Sequence, residues 1–295
     1  NFNNKIWNAF RLVKGWEVAD NEQPEASKIA CKWFDAKLKA CNAEIADLFK
    51  KYRLSEALMA VYKLFWDEFS SWLLEMIKPA YQQPIDKATY NKVLSYFDAL
   101  LKMLHPFMPF ITEELWQNLF ERKERESIMR EKLELAAPTA EEENLIADIE
   151  VVKQIVAGVR MVRNQKNIAP KEQLALNYVG ENTFAAYDSV ITKMANLSEI
   201  SKVEDKAADA SSFMIGTMEW AIPVGNLIDI EAEIAKNEAQ LKHLEGFLAG
   251  INKKLSNERF VANAPEAVVA LERKKKADSE EKIAAIKLAL ETLKK

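Results

Sequence analysis

The sequence predicts a mainly α protein in three parts: a helical bundle over residues 1–135, a small α+β connecting module over 136–225 and an antiparallel coiled-coil hairpin over 226–295. Three observations predict it. Only seven glycines and nine prolines occur in 295 residues, which favours long helices over a turn-rich β protein. Aromatic and aliphatic residues recur at 3–4 spacing from Phe2 to Leu119. From Leu227 to Leu255 the apolar residues step alternately by three and four, the a/d pattern of a coiled coil.

The bundle begins with Phe2, Ile6, Phe10 and Val13 on one stripe. A second helix starts after Pro24 and carries Ile29, Trp33, Leu38, Ile45 and Leu48. A third, with Ser55 as candidate N-cap, carries Leu58, Val61, Phe65, Phe69, Trp72 and Met76 and ends before Pro79. A fourth runs from about Lys87 to Leu104. Pro109 is a favourable first residue for a fifth, with Glu113 and Glu114 expected in its first turn. Trp33, Trp66 and Trp72 are expected to pack mainly in the core. Charge-dense residues 120–140 read as a linker ending near Pro138.

In the module, a helix spans Glu141 to about Gln165 and stops before Pro170. "LALNYV", "EISKV", "SFMIG" and "EWAIPV" are strand candidates around a helix near Thr183–Met194. In the hairpin, Leu227, Ile230, Ile234, Asn237, Leu241, Leu244, Leu248, Ile251 and Leu255 form the first seam. Asn237 is its one polar member, of the kind that sets register. The second arm resumes at Val268 or Val269 and ends with Ile283, Ile286, Leu290 and Leu293; around Glu272 to Ser279 its core positions are polar. Asn263, Pro265 and Glu266 form a capping arrangement that starts this arm, and Phe260 and Val261 fold back as an apolar plug. Each arm finds its simplest partner in the other, so a monomer is expected.

Composition excludes more than it selects. A net charge of −4 gives no global case for nucleic acid, so any such binding rests on local patches. Cys31 and Cys41 read as reduced, partly buried thiols of a cytoplasmic protein. His105 and His243 are too few for a zinc or haem site, and no metal or cofactor is expected in this chain. No apolar run approaches a membrane span and no signal peptide opens the chain. The sequence starts at Asn1, inside an amphipathic pattern, and is therefore expected to be a piece of something longer. There is no Gly-rich phosphate loop and no serine nucleophile elbow, nor a His and Cys placed to meet.

What remains is surface. Asn4, Lys5, Asn8 and Arg11 recur opposite the first apolar stripe. Amides read base edges and cations hold phosphate, so such a stripe suits single-stranded nucleotides, although a solvated helix face is the simpler account of the spacing. In the hairpin, Lys242, Lys253, Lys254, Arg259, Arg273, Lys274, Lys275 and Lys276 are candidate phosphate contacts near the distal end; ordinary surface pairing with equally numerous acids explains them as well.

At these residues the sequence resembles a known family. "NFNNKIWNAFRLV" looks like the segment opening the anticodon-binding domain of class I synthetases for branched aliphatic amino acids. "YRLSEALMAVYKLFWDEFSSWLLEMIKP" and "HPFMPFITEELWQNL" are similar to later helices of that bundle, and "VRNQKNIAP" to the stretch that follows. "IPVGNLIDIEAEIAKNEAQL" and "KLSNERFVANAPEAVVALERKK" resemble the C-terminal arm of valyl-tRNA synthetases. The resemblance implies a bundle that takes the anticodon stem-loop of valine tRNA through Asn4, Lys5, Asn8 and Arg11. It implies an arm laid against the outer corner of the tRNA, touching mainly backbone. The family commonly carries an aromatic directly after that Arg; here Leu12 stands. The family's catalytic and editing domains, and with them ATP and magnesium, are absent, so this chain alone should neither activate valine nor edit. The alternatives are the equivalent part of an isoleucyl or leucyl enzyme, or a non-catalytic coiled-coil interaction scaffold.

Overall fold

Helix α1 (Phe2–Lys14) turns Ile6, Ala9, Phe10 and Val13 inward, and Pro24 opens α2 (Glu25–Lys50). The computed structural model describes the chain apart from residues 206, 208, 209, 226–229, 257–265 and 294–295, and apart from the side chains of 230–236, 266, 267, 281, 285, 288, 289 and 291–293. Two units result, Asn1–Pro223 and Val224–Lys295.

The third helix is a composite. Its α3 segment (Leu54–Lys63) passes into a π-helical stretch, Leu64–Leu73, and then into α4 (Leu74–Ile77). The expected N-cap at Ser55 is displaced: Arg53 holds the N-cap position without a side-chain cap, and pairs instead with Glu56. Helix α5 (Lys87–Leu104) is capped by Asp86, which accepts from Thr89 N at 2.7 Å, a bond that satisfies one orphan donor of the first turn. Pro109 opens α6 (Pro109–Leu119) as expected, but no acid lies in its first turn. Glu113 sits a turn further in, where it accepts from Gln117 and Ser127 at 2.7 Å each. It thereby ties down the charged segment that follows, whose Ile128 is buried.

The bundle core is aromatic. The edges or faces of Phe10, Phe65 and Phe69 meet Phe97 at 5.3–5.9 Å in T-shaped contacts, the geometry that ring quadrupoles favour. Trp33 is fully buried as expected, whereas Trp66 and Trp72 are only half-buried. A two-residue parallel pair, β1 (Val18–Ala19) with β2 (Ile85–Asp86), closes one end.

Helix α7 (Ala140–Gln165) begins with a full capping box between Thr139 and Glu142. It packs on α2 and also on the sheet, so bundle and module share one unit. Strands β3 (Leu174–Val179) and β4 (Leu197–Val203) contain the expected "LALNYV" and "EISKV", while β5 (Ala210–Ile215) and β6 (Met218–Pro223) take all of "SFMIG" and "EWAIPV" except their last residues, Gly216 and Val224. Their order is β4-β3-β6-β5: β4 runs parallel to β3 after a crossover through α8 (Asp188–Ala195), while β6 runs antiparallel to β3 and forms a hairpin with the edge strand β5. Gly158 of α7 is required by this packing, because a Cβ there would lie 2.3–2.8 Å from three ring carbons of Phe213. Gly158→Ala should therefore lower the unfolding free energy by about 1–3 kcal/mol despite alanine's better helix propensity. Denaturant titration checks this, and an unchanged or raised midpoint would contradict it.

The second unit pairs α9 (Ile230–Leu255) with α10 (Glu266–Leu293). Glu245 meets Lys287 at 3.1 Å and Lys254 meets Glu272 at 3.7 Å, which makes the pair antiparallel. The protected side of α9 carries Asn237, Leu241, Leu244, Leu248, Ile251 and Leu255, the positions the heptads select. On α10 the seam runs through Val269, not the exposed Val268, and continues through Glu272, Ser279, Ile283 and Leu290. The apolar pair Phe260–Val261 and the cap at Asn263 and Pro265 lie outside the described residues.

Candidate nucleic-acid interface

Burial of Ile6, Phe10 and Val13 dictates which side chains of α1 face out. Asn4, Asn8 and Arg11 are exposed together on one face, at the i, i+4, i+7 spacing that places them in line. No hydrogen bond or ion pair engages these three side chains among the described residues. Lys5 departs from the expected group. It is half-buried on the flank, with Nζ 4.9 Å from the centre of the Trp66 ring, a cation–π contact that holds it aside. Around it, Phe2, Tyr62 and Trp66 form a half-exposed aromatic cluster, with Tyr62 and Trp66 stacked at 5.5 Å and 17°.

On the opposite flank stands Trp7, 41 % exposed and 6.3 Å from Phe10. The sequence reading did not single it out. Its signal was available: Trp7 falls one position off the Ile6–Phe10–Val13 stripe. The face thus presents two amides, a guanidinium and an indole. These are groups suited to base edges, phosphate and base stacking respectively.

The arm candidates divide by their ion pairs. Lys275 donates to Glu272 Oε1 at 2.8 Å, Lys254 lies 3.7 Å from Glu272, and Lys276 lies 3.8 Å from Glu280. Hydrogen bonds from Lys275 and the two ammonium charges hold the Glu272 carboxyl below the usual range. Lys242, Lys253, Arg273 and Lys274 are exposed and carry no ion pair among the described residues. Arg259 lies outside the described residues. The α1 group and the arm group belong to different units.

Other polar groups are structural. Arg163, in the "VRNQKNIAP" stretch, is buried and donates to Ala169 O, Ala195 O and Asn196 O at 2.9–3.2 Å. Lys153 is buried between Glu68 and Glu150, over the rings of Trp33 and Trp72. Among the described residues no helix is long and apolar enough to cross a membrane, and no three His, Cys, Asp or Glu are grouped to hold a metal.

Two family models match. The anticodon-binding domain of tRNA ligase covers residues 31–178, and the valyl tRNA synthetase tRNA binding arm covers 229–294. The first begins beyond α1, so the exposed α1 face lies outside the matched region. Among curated relatives, a valine–tRNA ligase of Phocaeicola vulgatus is 63% identical over 295 residues, covering 100% of this chain and 34% of the relative. One of Bacteroides thetaiotaomicron is 59% identical over 298 residues, with the same coverage. One of Mesorhizobium japonicum is 34% identical over 299 residues, covering 96% of this chain and 32% of the relative. The chain spans about a third of the length of the curated relatives it matches, in their C-terminal part. A bundle matched as anticodon-binding and a helix pair matched as the valyl arm, in that order in one polypeptide, mean that the chain belongs to the valyl-tRNA synthetase family of tRNA ligases.

Proposed function

We propose that this chain holds valine tRNA for ATP-dependent valylation by domains of the ligase that lie outside it, where ATP and magnesium would act. The bundle takes the anticodon stem-loop on the α1 face, with Asn4 and Asn8 at base edges, Arg11 at phosphate and Trp7 beneath a base. Lys5 contributes charge from the flank. The helix pair lies against the outer corner of the tRNA, where the D and T loops meet, and offers Lys242, Lys253, Arg273 and Lys274, which carry no ion pair among the described residues. The observation that carries this reading is the pairing of the two matches in a single chain. The chain is expected to act as a monomer in the cytoplasm; light scattering that showed a concentration-dependent dimer would favour an interaction scaffold instead.

The test is binding of a valine tRNA transcript against an isoleucine transcript over a salt titration. Affinity for both should fall as salt rises, because phosphate contacts release counterions. Asn8→Ala and Trp7→Ala should each cut the preference for valine tRNA roughly tenfold. Arg273→Glu combined with Lys274→Glu should weaken both transcripts alike and flatten the log–log salt slope by about 2. No binding at low salt, or variants indistinguishable from the parent, would overturn the assignment.

A further inference from the structure

One end of the bundle is aromatic, and among the described residues of its unit nothing covers its outermost rings. Phe49 at the end of α2 meets Phe107 of the "HPFMPF" turn, ring centres 5.9 Å apart, which brings Tyr52 and Phe110 to the same end. Phe110 is 91 % exposed and Tyr52 89 %. These rings are not on a fraying terminus. Pro106 and Pro109 restrict the turn backbone. His105 Nδ1 lies 2.7 Å from Thr112 Oγ1, and that hydroxyl donates to Met108 O at 2.8 Å. Phe110 is thus presented by a braced turn, at a place where the isolated unit gains nothing from it.

We infer that this end is a docking surface for the polypeptide that precedes the matched third in a full-length ligase, an inference that rests on the ligase reading above. Two observations select that occupant. First, the relatives carry about twice as much chain again outside the match, and the start of α1 lies close by. Phe2 packs on Tyr62 at 4.7 Å, which is eight residues, about 12 Å of helix, from the start of α3 at Leu54. Second, the charges here do not suit phosphate. Lys51 is paired with Asp47 and Arg53 with Glu56, while α6 brings Glu113 and Glu114; Lys50 is left without an ion pair among the described residues. Rings beside two paired cations and two acids, with Lys50 the one unpaired cation among the residues named, fit an apolar protein surface better than RNA.

Thiol labelling tests it. Cys31 and Cys41 are buried, and burial pushes their thiols up to about 11 and about 12, so a Phe110→Cys variant presents one accessible, reactive thiol. The variant is made in this chain alone. It is also made in a joined protein in which the chain replaces the matched third of the Phocaeicola vulgatus ligase. Maleimide labelling of the peptide bearing position 110, read by mass spectrometry, should be at least tenfold slower in the joined protein. In the chain alone it should be indifferent to valine tRNA and to tenfold dilution. Equal rates would overturn the inference. Protection by tRNA would assign the surface to RNA, and protection that vanishes on dilution would assign it to a second copy; either overturns it too. Phe110→Asp gives a second reading: it should lower the unfolding midpoint of the joined protein by several degrees and leave that of the chain alone unchanged. Loss of tRNA binding by the chain alone bears on the proposed function, and the labelling ratio is read independently of it.

Discussion

Arg163→Ala should lower the stability of the first unit by about 2–4 kcal/mol. The guanidinium is only 8 % exposed and donates to three carbonyls that belong to three different places: Ala169 after α7, Ala195 at the end of α8, and Asn196 at the turn into β4. Asn196 is left-handed, φ 52°, and its own side chain donates to Pro170 O at 2.9 Å. Alanine would leave Ala195 O without the guanidinium donor, whereas Ala169 O and Asn196 O would keep Glu172 N at 3.1 Å and Leu174 N at 3.4 Å. The cost is the desolvation of the first and the lost charge-assisted bonds to the other two. Arg163→Lys keeps the charge, but a single ammonium lacks the planar fork that spans these acceptors, so it should recover less than half the loss. Chemical denaturation followed by circular dichroism measures both. A cost under 1 kcal/mol for the alanine variant would show that water replaces the guanidinium.

Lys153→Met should cost about 3 kcal/mol, and adding Glu68→Leu should return a large part of it. Lys153 is 9 % exposed, and its ammonium bonds Glu68 and, at 2.8 Å, Glu150, with Trp33 and Trp72 at 4.9 and 5.4 Å. Lys37 completes the group at 3.1 Å from Glu68 and 3.9 Å from Glu150. Removing Lys153 alone leaves two carboxylates sharing one cation beneath α7. Removing Glu68 with it restores the balance of one cation and one acid, which is why the double variant should be closer to the parent than the single. Additive losses across the double-mutant cycle would sink this account.

What was legible follows from local cause. The ends of α2 and α6 are written in Pro24 and Pro109, and the α9 seam in a spacing that nothing but a helix pair satisfies. The π-helical stretch was not legible, since Phe65, Phe69 and Trp72 keep the same apolar spacing whether the chain bonds to the fourth or the fifth residue back. The parallel pairing of β3 with β4 depends on partners brought together through α8, which no local pattern reports. Of the candidate interface, Asn4, Asn8 and Arg11 were readable because the opposite stripe is unambiguous. The flank position of Lys5 was not readable, because Trp66 reaches it from another helix. Lys153 gave a signal that was passed over: it stands on the face of Ile149, Val152 and Val156, where a lysine needs a buried partner.

Glu272 shows what a polar seam does for an elongated helix pair. Leucine-like seams are periodic, and a periodic seam matches itself again after each turn, so two helices can slide. Glu272, 6 % exposed between Lys254 and Lys275, matches only one place. A slip of one turn would press its carboxylate toward Ile251 and strand Lys254, a strongly unfavourable exchange for a buried charge. The acid therefore works as a ratchet stop that fixes the distance from the root of the pair to its far end.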